Sequence, residues 1–457
     1  MRGTRNTALL IAGSLACAAA GAQGEAPPPT LFENATVITM TESGTLSAYD
    51  VLVSEGRIAR LAPTGTLATP TAAIRVDATG RFLVPGLAEM HAHLPGPERR
   101  QYAEDVLLLF VAHGITTVRS MLGHPWHLEL RRAVAARELL GPRIYAAGPS
   151  LNGASAPDPD TARRLIREQR AAGYDFIKLH PGLRPEVFDA IAATARDSGM
   201  SFSGHVPEEV GILHALAAGQ RAVDHLDGYL QALVVPGCID GPVAAGIFGI
   251  GLTRCADAAR IPAVVAATRE SGTWMAPTQV LLERWASPPT PEQLAAQPAA
   301  RYVSAATRAQ WYAARARFLG TQLLPGDMAH KFVSLRRELI RQLHAAGVPI
   351  LLASDAPQAF NVPGNSALAE LAVYVACGLD TREALLTATV NPARFFGAET
   401  VFGSIREGLD ADLVLLAADP LEDVGNLHRI EGVMLRGRWL DRPELDARLE
   451  ALAGRPD

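Results

Sequence analysis

Strand-like and helix-like segments alternate along the middle of the chain, and this alternation constrains the fold more than any other feature. Helix-like segments such as 97–113, 160–172, 185–198 and 328–346 are often followed by glycine, which commonly ends a helix. Eight strand-helix units predict an α/β protein in which residues 81–398 form a (β/α)8 TIM barrel, with function at the carboxyl ends of the strands. The predicted strands are 82–93, 116–121, 143–149, 175–180, 201–206, 221–227, 273–279 and 349–357.

The two ends of the chain have a different pattern. Short alternating runs with Gly, Ser and Asp turns occur within residues 31–75, 403–420 and 430–440. We expect residues 23–80 and 399–457 to build one small β-sandwich domain together. Two connections inside the barrel, at about 228–271 and 280–327, are longer than the fold requires and follow strands that end at the same mouth. We interpret both as lid insertions.

The first 22 residues resemble a secretory signal peptide. Arg2 and Arg5 precede an apolar stretch, which ends in small residues suited to cleavage near Ala22. The stretch is too short and too rich in Ala and Gly for a convincing membrane span. We therefore expect a periplasmic or secreted protein. We expect no lipidation at Cys17, because Ser14 stands where a large aliphatic residue would be required.

Composition narrows the classes of protein and partner. The chain has 457 residues, of which 48% are hydrophobic and 19% charged, and can bury a large core as globular enzymes do. A net charge of −5 without basic runs argues against nucleic acid, so we expect a small-molecule partner and leave a homo-oligomer open. In an oxidising compartment Cys238 and Cys255 could form a disulfide, and two buried thiols fit the sequence equally well.

Residues of the metal-ligand type recur at the carboxyl ends of the predicted strands. His91 and His93 stand two apart, so both imidazoles project from the same face of an extended strand. Neutral imidazoles and carboxylates suit zinc and similar divalent ions. Each residue alone has an ordinary interpretation, such as a hydrogen-bonded core histidine or a turn cap. Together they predict a metal site, whose further members are Lys178, His205, His225 and Asp355.

Lys178 is unusual in this chain. Of 42 Lys and Arg residues, only Lys178 and Lys331 are lysines. A buried amine can lose its proton and add carbon dioxide to form a carbamate whose oxygens bridge two metals, whereas a guanidinium stays protonated. The alternative is an ordinary ion pair with Asp175 or Asp355.

Four segments give the chain a family resemblance. They read PGLAEMHAHL, HGITTVRSML, TREALLTATVNPARFFG and GSIREGLDADLVLL. Together with the order of the candidate ligands, they carry a likeness that extends over nearly the whole mature chain. The sequence resembles the amidohydrolase superfamily of metal-dependent hydrolases. Within it, the chain is most similar to the imidazolonepropionase-like branch that includes Xaa-Pro dipeptidases.

The resemblance implies roles for these residues. His91, His93 and Asp355 would bind one divalent metal ion and His205 and His225 a second, with carboxylated Lys178 between them. The expected metal is zinc, and carbon dioxide would be held as the carbamate. A hydroxide between the ions would be the nucleophile, with Asp355 passing its proton to the leaving amine.

Three further residues are candidates for substrate contact. Tyr229 and His180 lie at even offsets from His225 and Lys178, and Arg119 near the end of strand two could grip a carboxylate. We assign Tyr229 and His180 to the catalytic group as well.

We predict an exported binuclear amidohydrolase that cleaves a C–N amide bond in a dipeptide such as Xaa-Pro or in an N-acyl amino acid. His205-Val206-Pro207-Glu208 also fits the His-x-x-Glu spacing of mononuclear deaminases, in which Glu208 would shuttle protons. Hydrolysis of a lactone, phosphoester or cyclic amide on the same centre is another alternative. A non-catalytic binding protein is a third, and the complete ligand set argues against it.

Overall fold

The computed structural model describes residues 27–239, 247–286, 290–321, 326–358 and 360–454. The predicted signal peptide and Cys17 lie outside these ranges. The strands are β1 (Thr30–Ile38), β2 (Thr45–Ser54), β3 (Arg57–Pro63), β4 (Ile74–Asp77), β5 (Phe82–Pro85), β6 (Leu87–Ala92), β7 (Ile115–Ser120), β8 (Arg143–Ala146), β9 (Phe176–Leu179), β10 (Ser201–Gly204), β11 (Ala222–Asp224), β12 (Trp274–Ala276), β13 (Leu413–Leu416), β14 (Ile430–Leu435) and β15 (Arg438–Asp441).

Helices follow most of the central strands. The α-helices are α1 (Arg100–Ala112), α2 (Trp126–Ala135), α3 (Pro159–Ala172), α4 (Pro185–Ser198), α5 (Ile212–Ala217), α6 (Tyr229–Ala232), α7 (Ile261–Ser271), α8 (Gln279–Ala286), α9 (Pro291–Ala295), α10 (Ala305–Thr321), α11 (Gly326–Ala345), α12 (Asn365–Ala376), α13 (Thr381–Ala388), α14 (Val390–Phe396) and α15 (Arg442–Ala453). Their alternation with strands in the middle of the chain agrees with the predicted α/β class.

Both chain ends contribute to one sheet. Its hydrogen-bonded order is β15-β14-β13-β5-β1-β2-β3, and β4 also pairs with β1. One of its faces buries a separate hydrophobic cluster that includes Phe32, Ile58, Leu83 and Met434. Strands from both chain ends thus share one sheet, and the predicted β-sandwich domain stays a prediction.

The central strands pair in parallel. They form one sheet of β6-β7-β8 and a second of β9-β10-β11-β12. Isolated parallel bridges join Ala147 to Phe176 and Met275 to Ile350. Because neighbouring strands run in the same direction, their carboxyl ends lie on one side of the sheets, where ligands of α/β proteins bind.

The predicted eighth strand at 349–357 does not form a regular ladder. Leu351 N donates to Met275 O at 2.8 Å and Met90 N to Leu352 O at 2.8 Å, so the segment runs between β12 and β6. Its backbone hydrogen bonds continue past this point, from Asp355 N to His91 O (2.9 Å) and from His93 N to Ala356 O (2.8 Å). Asp355 itself takes a left-handed backbone with φ 64, and its side chain is buried.

The predicted first strand, 82–93, is wrong in one respect, because the chain divides it at Gly86. Gly86 N donates to Asp412 O (2.8 Å) beside the terminal sheet, and Leu87 N donates to Gly114 O (2.9 Å) at the start of the parallel sheet. A Cβ at Gly86 would lie 2.2 Å from Thr116 Oγ1, so only glycine allows this close approach. β5 thus belongs to the terminal sheet and β6 to the parallel one.

Both long connections are largely helical. The first carries α6 and α7 together with a disulfide between Cys238 and Cys255, which settles the pairing left open by the sequence. The second carries α8, α9 and α10 and leads into α11. Every described helix is too short or too polar to cross a lipid bilayer.

We expect Gly86→Ala to lower the free energy of unfolding by about 1–3 kcal/mol, because the new methyl group overlaps Thr116. Chemical denaturation measures this. Thr116→Ala should recover part of the loss, since two of the three close contacts are to Thr116 Oγ1 and Cγ2. Gly454→Ala is the control, because its nearest contact is 3.4 Å away. Equal stability of Gly86→Ala and Gly454→Ala would contradict the close approach.

Candidate metal centre

The end of β6 presents the His-x-His pair as the sequence predicts. His91 is fully buried, and its Nε2 lies 3.2 Å from Nε2 of His93. Both nitrogens face Asp355 Oδ1, at 3.5 Å from His91 and 3.1 Å from His93. Asp355 is held beside them because its N–H donates to His91 O at 2.9 Å. Three ligand-type atoms thus converge on one point.

Asp355 presents a buried carboxylate oxygen suited to a cation. Its Oδ1 is buried and has no hydrogen-bond donor within the described part of the chain. Burial raises the pKa of Asp355 well above its usual range. A buried carboxylate oxygen that faces imidazole nitrogens and has no donor is suited to a metal ion.

His205 and His225 bring two more imidazoles to the same place. The His225 ring lies 4.7 Å from the rings of both His91 and His205, measured between centroids. His225 Nδ1 is 2.7 Å from Thr278 Oγ1, and His205 Nδ1 is 2.6 Å from Asp227 Oδ2. When one ring nitrogen is engaged in this way, the other is oriented for a metal.

The buried imidazoles are held in the neutral form that metal binding requires. Burial, with Lys178 nearby, lowers the pKa of His93 to about 3 and that of His91 well below its usual range. Burial also lowers the pKa of His225 well below normal, with a contribution from His205. These nitrogens therefore keep a free lone pair at neutral pH.

Lys178 lies in the same cluster, but with a partner that the sequence did not suggest. Its Nζ donates to Asp224 Oδ2 at 2.7 Å, and both side chains are completely buried. The predicted alternative partner Asp175 instead pairs with Arg131 at 2.7 Å. The structure thus replaces both proposed ion pairs of Lys178 by one with Asp224.

Asp224 is the centre of a buried charge network. Besides Lys178, it accepts a hydrogen bond from Arg119 Nη2 at 3.2 Å and lies 3.3 Å from His91 Nδ1. Although burial opposes ionisation, Lys178, His91 and Arg119 hold the pKa of Asp224 well below its usual range. The carboxylate therefore stays charged and orients the His91 ring, as carboxylates behind metal-binding histidines do.

Sequence reasoning missed Asp224, Glu89, Asp227 and Thr278. Glu89 is buried and accepts hydrogen bonds from His91 N (2.9 Å) and Ser354 Oγ (2.5 Å), which ties β6 to the segment of Asp355. Burial raises the pKa of Glu89 to about 7. For the three acidic residues, the available signal was their position within two residues of His91 or His225, in AEMH and VDHLD.

Two predicted substrate contacts are wrong. Tyr229 is fully buried, and its hydroxyl is 2.7 Å from Thr268 Oγ1 in α7, in the layer of helices behind the strands. The even-offset argument failed because β11 ends at Asp224 and a helix begins at Tyr229. Arg119 is likewise fully buried and supports the site through Asp224 and Met90 O (2.6 Å).

The other two predicted residues are His180, which lies beside the cluster, and Glu208, which is exposed. The ring of His180 stacks on that of His205 with centroids 4.9 Å apart, and His180 is only half-buried, so it lies beside the cluster. Burial and the charge of Lys178 lower its pKa to about 3. Glu208 is exposed in a turn after β10. The structure therefore gives Glu208 no buried position next to the histidines.

The donor set fits divalent cations. His91, His93 and Asp355 form one group with ligand atoms within 4.8 Å of one another, and His91, Asp224 and His225 form another. Their nitrogens and oxygens are those that zinc and related ions prefer.

The chain matches one protein family over most of its length. A family model described as "Amidohydrolase family" matches residues 82–440. An adenine deaminase of Ruegeria sp. (strain TM1040) is 29% identical over 228 residues, which are 45% of this chain and 36% of that enzyme. The chain thus spans about a third of the length of the curated deaminases that it matches.

Solved structures share the fold over nearly the whole chain. A putative prolidase from Bifidobacterium longum superposes with a TM-score of 0.69 and 22% identity, covering 94% of this chain and 100% of that one. The bottromycin amidohydrolase AH gives a TM-score of 0.69 and 24% identity, covering 94% and 91%. At such identities the likeness shows the fold alone, and function has to come from the site.

We expect Asp224→Asn to lower the free energy of unfolding of the metal-free protein by about 3–5 kcal/mol, because it leaves two buried cations without an anion. Glu168→Gln is the control. It removes an exposed pair with Arg164 (60% and 56% exposed side chains) and should cost less than about 0.5 kcal/mol. Urea denaturation measures both, and similar small losses would contradict the central role of Asp224.

Proposed function

This chain belongs to the Amidohydrolase family, and we propose on that premise that it is a binuclear metal-dependent amidohydrolase. Its substrate would be a small molecule with a C–N amide bond, either a dipeptide of the Xaa-Pro type or an N-acyl amino acid. The observation that carries the proposal is the convergence of His91, His93, His225 and Asp355, with an unpartnered buried oxygen on Asp355.

The ligands divide into two sets in this proposal. His91, His93 and Asp355 would hold one divalent ion, and His205 and His225 the other. Lys178, as a carbamate, would lie between the sets. We take zinc as the metal because the donors are mainly neutral imidazoles. When bound, such ions polarise a carbonyl group and acidify a water molecule.

Asp355 is the residue suited to move the proton. Burial raises the pKa of Asp355 above its usual range, which favours uptake of a proton by this carboxylate. Asp355 would take the proton of the attacking water and donate it to the leaving nitrogen.

His180 is the remaining candidate for contact with substrate. It stacks on His205, is half-buried, and its buried Nδ1 has no hydrogen-bond partner in the described part of the chain. A neutral imidazole at the edge of the cluster can donate to a substrate carbonyl or carboxylate. Arg119 is not available for substrate contact, because its guanidinium is buried and bonded to Met90 O and Asp224.

The amide class is supported by fold neighbours whose descriptions name a prolidase and an amidohydrolase. The similarity to adenine deaminases favours a second candidate, a deaminase. The exposed position of Glu208 speaks against the His-x-x-Glu form of that chemistry.

Two structural points belong to the same proposal. We infer that the parallel strands close into an eight-stranded barrel, supported by the bridges from Met275 to Ile350 and from Ala92 to Ala356. We also infer export to an oxidising compartment, supported by the disulfide between Cys238 and Cys255.

A substrate screen tests the proposed reaction. The zinc-loaded protein should hydrolyse members of dipeptide or N-acyl amino acid libraries, and Asp355→Asn should reduce kcat by about 100-fold or more. Glu208→Gln should keep full activity because Glu208 is exposed. Turnover of lactones or organophosphates alone would reject the amide class. Ammonia release from an aminated heterocycle, abolished in Glu208→Gln, would establish the deaminase instead.

Variants of Lys178 test the carbamate. We expect Lys178→Ala to lose metal and activity and to recover part of both when a short carboxylic acid is added, because the acid can supply the missing bridging oxygens. Metal analysis and initial rates measure this. Lys178→Arg should stay inactive, since a guanidinium cannot take up carbon dioxide. Full activity of Lys178→Arg would exclude the carbamate.

A further inference from the structure

Arg336, in the middle of α11, is a completely buried guanidinium outside the ligand set. It donates from Nη1 to His225 O at 2.6 Å, from Nη2 to Pro277 O at 3.1 Å, and from Nε to Gln279 Oε1 at 2.8 Å. Each of these acceptors is a neutral oxygen. Burial lowers the pKa of Arg336 to about 10, which leaves the group charged at neutral pH.

A buried cation bonded only to neutral oxygens is costly to retain. Removing a guanidinium from water is unfavourable, and acceptors without charge compensate less than a carboxylate does. Arg143, by contrast, is paired with Asp410 at 2.7 Å and Asp412 at 3.3 Å. Asp227, Glu370 and Glu283 stabilise the charge of Arg336 from a distance, whereas its hydrogen bonds go to the neutral oxygens of the segments that it holds.

Arg336 holds two strained turns next to the metal centre. His225 and Leu226 have left-handed backbones, with φ 61 and 55, and Thr278 has φ 49. Residues with a Cβ disfavour this region, so such turns persist only when their surroundings fix them. Arg336 binds the carbonyl of His225 itself and flanks Thr278 on both sides, through Pro277 and Gln279.

The two turns together determine where the His225 ring points. The turn at Thr278 fixes the His225 ring, because Thr278 Oγ1 lies 2.7 Å from His225 Nδ1. The turn at His225 and Leu226 fixes the His225 backbone. Glu370 adds to the second turn by accepting from Gln279 N (2.8 Å) and Val280 N (2.5 Å). Arg336 joins both turns from outside them, through His225 O in the first turn and through Pro277 O and Gln279 Oε1 in the second.

Arg336 also connects the two ends of the second insertion, residues 280–327. The insertion leaves β12 through the turn of Thr278 and α8, and it returns in α11, which carries Arg336. Any shift of α11 relative to α8 therefore acts on the His225 carbonyl.

We propose that Arg336 is a positioning residue for the metal ligand His225, and that it couples the two ends of the 280–327 insertion to the metal centre. This inference rests on the proposed function, because it takes His225 to be a ligand. Its guanidinium fixes the left-handed backbone of His225 and the turn that binds the ring, so that the second imidazole nitrogen faces the metal.

Cobalt(II) binding tests this without any substrate. We expect Arg336→Met to bind the second cobalt ion about 10–100-fold more weakly in a chelator competition, as loss of a supporting residue does. The visible ligand-field spectrum should change, because the ligand geometry around that ion is altered. Arg143→Met is the control. It removes a partly buried guanidinium that pairs with Asp410 and Asp412, and it should lower Tm while leaving cobalt affinity and spectrum as in the wild type.

Arg336→Lys covers the case in which Arg336→Met does not fold. An ammonium keeps the charge but cannot bridge three acceptors as a planar guanidinium does, so cobalt affinity should fall several-fold with a changed spectrum. Wild-type affinity and spectrum in the variant that folds would overturn the proposal. If cobalt binds as expected but no substrate is turned over, the positioning role stands and the proposed reaction fails.

Discussion

The buried carboxylate of Asp224 is the charge on which the arrangement of the site depends. It accepts from Lys178 at 2.7 Å and from Arg119 at 3.2 Å, and it lies 3.3 Å from His91 Nδ1. Two cations could not remain in this interior without it, because the desolvation cost of unpaired charges is too high. The same contacts orient His91 and bring the ends of β6, β7, β9 and β11 together. The same carboxylate thus compensates the two buried cations and orients the His91 ring.

The network has a consequence for the proposed carbamate. The ammonium of Lys178 pairs with Asp224, whereas a carbamate is negative and would repel the same carboxylate. Cations must then be present when Lys178 is carboxylated. Metal loading and the release of Lys178 from Asp224 would accordingly occur together.

The sequence allowed the converging side chains to be predicted but not the residues that support them. His91, His93 and Lys178 followed from strand periodicity and position at strand ends, which local sequence determines. Asp224 was missed because it adjoins His225, and alternation on a strand would place the two on opposite faces. His225 has φ 61, so the strand pattern ends there and both side chains reach the cluster.

Other errors came from tertiary contacts. The strand 82–93 was predicted as one element because nothing local shows that Gly86 changes partner sheets. The side-chain direction predicted for Tyr229 failed because β11 ends earlier than the sequence pattern indicates. Arg336 could not be found from sequence at all, since its contacts are 57–111 residues away along the chain.

The most direct test of the proposed binuclear centre is the metal content of protein purified without chelators, measured by mass spectrometry. Two sets of ligands predict about two divalent ions per chain in the wild type. Replacing His205 and His225 together should leave about one, held by His91, His93 and Asp355. Protein that retains the same metal content after this double replacement, or that contains no metal after exposure to zinc, would contradict the assignment.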